Sequence, residues 1–232
     1  MKYSYLIIDL GAILVPFIFS FHPNIKFNKT WKAFWLAAII TAIPFILWDM
    51  VFTKLGVWGF NSIYITGIHF FNLPIEELLF FICIPYACIF TWIWLQNLIT
   101  RERFKGIEPF ITVLLVSFLL MGAVFFYPRL YTSLTFSALA LVILFFKYIL
   151  KVDWLGQFYF TYLILLIPFT IVNGLLTGTG LESPIVWYDN TQNMSIRLFT
   201  IPVEDIFYGM LLIMLNVFLY EFFKNKIKIE DH

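Results

Sequence analysis

The sequence predicts an all-α integral membrane protein with seven transmembrane helices, arranged as two parallel three-helix repeats joined by one adaptor helix. Composition, seven long apolar stretches and an internal repeat support this prediction. Of the 232 residues, 62% are hydrophobic and only 12% are charged, and the mean hydropathy is +0.90. A soluble fold cannot bury so much apolar surface, so lipid is the expected solvent.

A helix needs about 20 apolar residues to cross the hydrocarbon core of a bilayer. Seven stretches approach that length, at residues 3–21, 31–52, 74–99, 110–126, 130–150, 155–176 and 202–223. The first is expected to be a retained helix rather than a signal peptide, because Asp9 interrupts it and no small-residue cleavage site follows.

Basic residues are distributed unequally between the two membrane faces. The connections 22–30, 100–109 and 151–154 share one face with the tail, and this face carries eleven lysine and arginine residues against four on the other. Positively charged loops are typical of the cytoplasmic side. We therefore expect a multi-pass protein of the cell membrane with its C-terminus in the cytoplasm and its N-terminus outside.

The acidic residues gather at the opposite, outer face. Carboxylates are costly in lipid, so several of them at one end of a helix bundle indicate a polar pocket. The acids that map there are Asp9, Asp49, Glu76, Glu77, Glu182, Asp189, Glu204 and Asp205.

Two outer segments repeat each other. Residues 68–77 align without gaps with residues 196–205, 128 positions later, and an Ile-Pro-Phe sequence at 43–45 recurs at 167–169. The repeat predicts one functional domain composed of repeat 1 (1–105), adaptor helix 4 (106–128) and repeat 2 with a short cytoplasmic tail (129–232). A single adaptor helix leaves both repeats pointing the same way, so both Pro-x-Glu-acid motifs face outward.

The motif also has a purely structural interpretation. Proline at the first position and acids in the first turn are ordinary features of a helix start. Two copies in matched context, each opening a lipid-embedded helix, favour a functional role instead.

The sequence resembles the membrane-embedded, flavin-free lycopene cyclases, which occur as two small subunits, as a fused chain or as a domain of fungal bifunctional carotenoid enzymes. The resemblance spans nearly the whole chain and has the tandem layout of the fused form. Its most specific parts are WGFN at 58–61, LPIEELLFF at 73–81, PYAC at 85–88, PIVWY at 184–188 and TIPVEDIFY at 200–208. The resemblance implies a carotenoid-biosynthesis enzyme of the isomerase or intramolecular lyase type, with no cofactor. It would cyclise the ψ-end groups of lycopene to β-ionone rings, giving γ-carotene and β-carotene.

Such a cyclisation is redox-neutral and needs an acid, a base and a dry pocket. Desolvation keeps a carboxyl group protonated in an apolar site. We expect Glu76/Glu77 and Glu204/Asp205 to form the catalytic pairs, and the sequence leaves open which pair is the acid. His69 and Arg197 stand at matched positions and would modulate the two halves differently.

Aromatic residues near the acids are candidates for substrate binding, because aromatic faces stabilise cations. Phe80, Phe81 and Tyr208 follow the acids by three to five residues, which is near enough on a helix to line the same pocket. The outer loops add Trp58, Trp187 and Tyr188 as a lid. Anchoring at the membrane interface is the alternative role for these residues.

Other function classes fit less well. A retinal protein needs a lysine in the last span, and residues 202–223 contain none. No acidic magnesium cluster of a diphosphate transferase is present, no metal site is predicted, and the lone Gly178-Thr179-Gly180 is no dinucleotide site. A small parallel-repeat transporter remains the alternative, although transport sites tend to lie at the midplane. The expected partners are lycopene and membrane lipid, with a homo-oligomer or association with other carotenoid enzymes as possibilities; no nucleic-acid partner is expected.

Overall fold

A computed structural model describes the backbone of residues 2–230 and the side chains of residues 2–227. The end of the predicted cytoplasmic tail lies outside the described residues. The described chain is all-α, with helices α1 (Ser4–Phe19), α2 (Trp31–Leu55), α3 (Ile75–Leu98), α4 (Glu108–Phe125), α5 (Leu130–Leu144), α6 (Leu155–Leu176) and α7 (Val203–Glu230). Short 3₁₀ helices occupy Phe27–Thr30 and Arg101–Phe104, and a π-helical turn, Phe145–Ile149, prolongs α5.

Six of these seven described helices, α2 to α7, are long and apolar enough to cross a membrane. The chain is therefore a multi-pass membrane protein. Helix α1 lies where the first span is predicted but has only 16 residues, which corresponds to about 24 Å of helix. Its large apolar side chains, such as Ile7, Leu10 and Leu14, are exposed on the outside of the bundle. The seventh crossing stays a prediction, because α1 is shorter than a typical span.

The helices pack unevenly. Helix α2 lies along α7 and α1 lies along α3, whereas α6 approaches α3 and α7 at far fewer points. The buried core between the close pairs is mostly aromatic, with Trp92, Tyr86 and Phe34 among its fully buried side chains. The looser packing of α6 leaves space between α1, α3, α6 and α7.

Short hairpins precede α3 and α7. Strands β2 (His69–Phe70) and β3 (Leu73–Pro74) pair with the same register as β5 (Arg197–Leu198) and β6 (Ile201–Pro202), 128 residues later. Both turns place a phenylalanine in the left-handed region, Phe71 with φ 54° and Phe199 with φ 57°. This conformation is unusual for a bulky residue. The same local structure therefore brings each Pro-x-Glu-acid segment into the first turn of its helix.

A third ribbon joins the two loops that carry these hairpins. Strands β1 (Trp58–Phe60) and β4 (Val186–Tyr188) are antiparallel, and Gly59 stands opposite Trp187. A Cβ atom on Gly59 would overlap the indole of Trp187, so only glycine fits there without a shift of the ring. The ribbon covers the end of the bundle at which α3 and α7 begin.

Several charged residues at the opposite end of the bundle form ion pairs. Lys147 forms an ion pair with Glu108, and Arg101 contacts both Asp153 at 2.8 Å and Glu221 at 3.4 Å. Within residues 2–227, by contrast, no ion pair involves the acids in the first turns of α3 and α7. The acidic end of the bundle therefore lacks the charge compensation found at the basic end.

Candidate functional site

A cavity of about 390 Å³ lies between α1, α3, α6 and α7 and is closed at one end by β1 and β4. Three carboxyl groups reach it, those of Asp49, Glu77 and Asp205, and the rest of the lining is mainly apolar and aromatic. On α3 the lining runs from Glu77 to Thr91, which spans about 21 Å along the helix axis. The cavity is thus elongated, with its acids at the ribbon end.

Asp205 accepts hydrogen bonds on both carboxyl oxygens. The Tyr131 hydroxyl donates to Oδ1 at 2.6 Å, while the Tyr188 hydroxyl and the Asn173 amide donate to Oδ2 at 2.9 Å each. Burial and the neighbouring Asp205 carboxyl raise the pKa of Tyr188 well above its usual value, so this phenol remains a donor. Three neutral donors around one carboxyl group form a binding site for a carboxylate, which can only accept hydrogen bonds.

Glu77 has different surroundings. The Tyr5 hydroxyl donates to its Oε2 at 2.5 Å, and its carboxyl group interacts directly with that of Asp49. Asp49 also interacts with the indole of Trp58, and its side chain is almost fully buried, with 3% relative exposure. Two carboxyl groups therefore meet at the cavity wall on this side.

The two sides of the acidic end correspond at two positions. Tyr5 donates to Glu77 as Tyr131 donates to Asp205. Asp49 lies 124 residues before Asn173, the same offset that relates the Ile-Pro-Phe sequences of α2 and α6. The two sides differ in that position 49 is an acid where the other side has an amide, and in the additional Tyr188 donor to Asp205.

The first acid of each motif does not reach the cavity. Glu76 Oε1 accepts the backbone N–H of Thr66 at 2.6 Å, and Glu204 Oε1 accepts that of Met194, also at 2.6 Å. Glu204 accepts a second hydrogen bond from the Thr132 hydroxyl, at 2.5 Å. Both glutamates are fully buried. They connect the outer loops to the first turns of α3 and α7.

The six predicted substrate-binding aromatic residues divide into two groups. Four line the cavity, namely Trp58, Phe80, Tyr188 and Tyr208. Phe81 instead packs in the core against Phe45, and Trp187 lies over Gly59 with 43% of its surface exposed. The structure therefore places four of the six where a substrate could contact them.

The predicted modulating residues do not line the cavity. His69 Nδ1 is 3.0 Å from the carbonyl oxygen of Gly67, and Arg197 donates to the carbonyl of Thr200 at 2.6 Å. Both side chains belong to exposed hairpins. Neither side chain contacts the carboxyl groups of the cavity, but the Arg197 guanidinium lies 5.9 Å from the ring centroid of Tyr188, whose hydroxyl donates to Asp205.

Four residues of the site were not assigned a role from the sequence, namely Tyr5, Asp49, Tyr131 and Asn173. A longer repeat alignment contains the signal for two of them, because Asp49 and Asn173 each stand five residues after the matched prolines Pro44 and Pro168. The tyrosines stand near the starts of α1 and α5, where the sequence alone gives no reason to select them.

Aromatic rings surround the hydroxyl-bearing ring of Tyr208 at the acidic end. Its centroid lies 5.2 Å from that of Phe45, 5.6 Å from Trp48 and 6.1 Å from Trp58. Within the described part of the chain, the Tyr208 hydroxyl has no hydrogen-bond partner. The acidic end therefore combines carboxyl groups with electron-rich aromatic rings.

The cavity reaches the outside of the bundle between α1 and α6. Val15 of α1 lines it although 58% of its surface is exposed, and Pro168 of α6 lines it and is also exposed. Gly11 lies on the same wall, and no described atom lies within 4 Å of the place where its Cβ would stand. The opening faces sideways, through apolar helices, toward the region that lipid occupies.

Comparison with known proteins assigns the family. The family model described as lycopene cyclase matches residues 2–95 and 128–223, which together make up well over half of the chain. Searches of curated proteins and of solved structures give no match. The two matched segments contain both Pro-x-Glu-acid motifs and omit α4. Because the family model covers most of its length, this chain belongs to the lycopene cyclase family.

Proposed function

We propose that this protein is a lycopene β-cyclase, an isomerase-type enzyme that converts the ψ-end groups of lycopene to β-ionone rings and gives γ-carotene and then β-carotene. The observation that carries the proposal is the presence of Glu77 and Asp205 at the same end of one apolar cavity. A proton donor and a proton acceptor are what this redox-neutral reaction requires of the protein.

The reaction proceeds by proton transfer to and from the substrate. A carboxylic acid adds a proton to the terminal alkene of the ψ-end, which generates a tertiary cation. The neighbouring double bond attacks this cation and closes the six-membered ring, so that the charge moves into the ring. A carboxylate then removes a ring proton, and the electron pair of that C–H bond forms the ring double bond of the β-end.

The shape of the cavity suits a linear polyene. Its length of about 21 Å along α3 holds an end group at the acids and part of the conjugated chain behind it. The opening between α1 and α6 admits a substrate that is dissolved in the bilayer, and the remainder of the long molecule stays in lipid. An apolar substrate therefore reaches the acids without passing through water.

The aromatic lining stabilises the cationic intermediate. The faces of Trp58, Phe80 and Tyr208 are available at the acidic end, and aromatic faces attract cations most strongly where water is excluded. Exclusion of water also protects the cation from capture as an alcohol.

We also propose that the chain consists of two parallel repeats, 1–105 and 129–232, around adaptor helix 4, with seven spans and a cytoplasmic C-terminus in the cell membrane. The matched hairpins and the equivalent Glu76 and Glu204 hydrogen bonds support the repeat. The eleven-to-four distribution of basic residues supports the orientation. Reporter fusions should place the C-terminus inside and the loop 59–72 outside, and a cytoplasmic signal from that loop would overturn the topology.

Expression in a lycopene-accumulating host tests the function. Chromatography of the pigments should show yellow β-carotene with the wild-type protein and red lycopene with a Glu77→Gln/Asp205→Asn double variant inserted to the same level. Unchanged lycopene in the presence of correctly inserted wild-type protein would contradict the proposal and favour a transporter.

A further inference from the structure

We infer that Asp49 and Glu77 share one proton and together act as the acid, and that Asp205 is the base that removes the ring proton. This inference rests on the proposed cyclase function. It gives Asp49 a role in the reaction and assigns different tasks to the two sides of the acidic end.

Asp49 has the placement that such a role requires. It lines the cavity beside Glu77 with 3% relative exposure, and within residues 2–227 its Oδ2 atom has no hydrogen-bond partner. No lysine or arginine of the described side chains forms an ion pair with either acid. Two neighbouring buried carboxyl groups without a cation are costly to charge together, and a hydrogen bond between them needs a proton on one.

Asp205 lacks such a partner. The position that corresponds to Asp49 is Asn173, whose amide donates a hydrogen bond to Asp205 Oδ2. Tyr131 and Tyr188 donate two more. Hydrogen bonds donated to a carboxyl group favour its ionised form, so Asp205 is set up to receive a proton rather than to deliver one.

The proton balance of the cycle follows from this assignment. The Asp49–Glu77 pair loses its proton to the terminal alkene carbon, a carbon–carbon bond closes the ring, and Asp205 gains the proton released from the ring. No electron acceptor or donor takes part. The proton on Asp205 must return to the pair before the next ring is made, and both groups line the same cavity.

The test uses the full-length protein in lipid vesicles that contain lycopene, transferred to D₂O. We expect Asp49→Asn and Glu77→Gln each to lower the cyclisation rate by about 100-fold or more, because a positioned proton donor contributes at least this factor. The double variant should be no slower than the slower single variant, since residues that act as a unit are not additive. Lycopene recovered from these variants should contain no deuterium. Glu182→Gln, which changes an exposed acid of the outer loop, serves as the control and should keep the wild-type rate.

Asp205→Asn should behave differently, because the acid remains intact. Protonation should still occur, so deuterium should appear either in recovered lycopene or in rings whose double bond is displaced. Retention of bound lycopene, measured by co-purification, separates a proton-transfer defect from a damaged cavity.

Three results would overturn the inference. The first is a cyclisation rate of Asp49→Asn above about a tenth of wild type. The second is a rate loss in the Asp49→Asn/Glu77→Gln double variant equal to the product of the two single losses. The third is deuterium-free lycopene from Asp205→Asn together with labelled products from Glu77→Gln. Should Asp49→Asn fail to insert, the labelling of the Glu77 and Asp205 variants decides the assignment without it. Absence of any cyclic product from the wild type would instead count against the proposed function itself.

Discussion

Replacement of Glu76 and of Glu77 by glutamine, one at a time, tests whether neighbouring acids in the same helical turn have different tasks. Glu77 lines the cavity, whereas Glu76 accepts a hydrogen bond from the Thr66 backbone of the outer loop. Glutamine keeps the length and shape of glutamate in both cases but cannot transfer a proton. Any difference between the two variants therefore reports the role of the acid rather than its size.

The expected magnitudes differ widely. A glutamine at position 76 still accepts the Thr66 N–H through its amide oxygen. Its NH2 group replaces Oε2, a buried atom without a hydrogen-bond partner among the described residues, so the cost is at most that of one buried unpaired donor, about 1–3 kcal/mol of stability. No proton-transfer group is removed, so the rate per inserted protein should fall by less than about tenfold. Loss of a proton-transfer group at position 77 should lower the rate by about 100-fold or more.

The assay measures cyclic product per amount of membrane-inserted protein in the lycopene-accumulating host. Glu204→Gln and Asp205→Asn provide the matched pair on the other side, where Glu204 contacts the loop and Asp205 lines the cavity. A Glu76→Gln protein that inserts normally but is as slow as Glu77→Gln would refute the division between loop-holding and cavity acids.

Three further predictions concern the opening, the ribbon and the repeat. Gly11→Leu should fill the opening between α1 and α6 and raise the KM for lycopene about tenfold or more. The control is Gly106→Leu, at a glycine that is also unobstructed but lies in the basic-end loop, and it should leave the KM unchanged. Equal KM values for the two variants would place the substrate route elsewhere. Gly59→Ala should lower stability by about 1–3 kcal/mol through overpacking against the facing indole, measured as a lower thermal midpoint, and an unchanged midpoint would show that this close approach does not constrain the ribbon. Residues 1–105 and 106–232 expressed as separate chains should reassemble an active enzyme, while cyclic product from one half alone would disprove a shared site.

The helices could be predicted from the sequence because apolar length is the dominant signal in lipid. The predicted spans 130–150 and 155–176 agree closely with α5, its π-helical turn and α6. The prediction fails to show that α1 has only 16 residues, since Tyr3 and the residues after Phe19 are apolar or small enough to continue a helix. There the chain leaves the helix for a turn, and Ser20 donates to the Pro16 carbonyl.

The sequence predicts that the acids of the site lie near each other in apolar surroundings. It does not predict the direction in which each side chain points. Successive residues on a helix point about 100° apart, so only one of Glu76 and Glu77 faces a given neighbour. Which one faces the cavity depends on how α3 is rotated against α1 and α2, and the pattern of the sequence does not contain that rotation. The same reason explains why Phe80 lines the cavity whereas Phe81 packs in the core.

The ribbon of β1 and β4 bears on the two proposed repeats. Its register is centred on Gly59 and Trp187, which face each other and stand 128 positions apart, the offset that relates the two hairpins. If two identical chains paired in this register, a twofold axis would pass between the strands and the same residue would face itself across it. That pair would be either two glycines, with no side chain between them, or two tryptophans, with two indoles in the space of one. A single polypeptide is free of that constraint and can hold a large residue against a small one. Covalent linkage thus permits unequal residues at matched positions of the proposed repeats, and Asp49 and Asn173 are the pair on which the inferred acid and base roles depend.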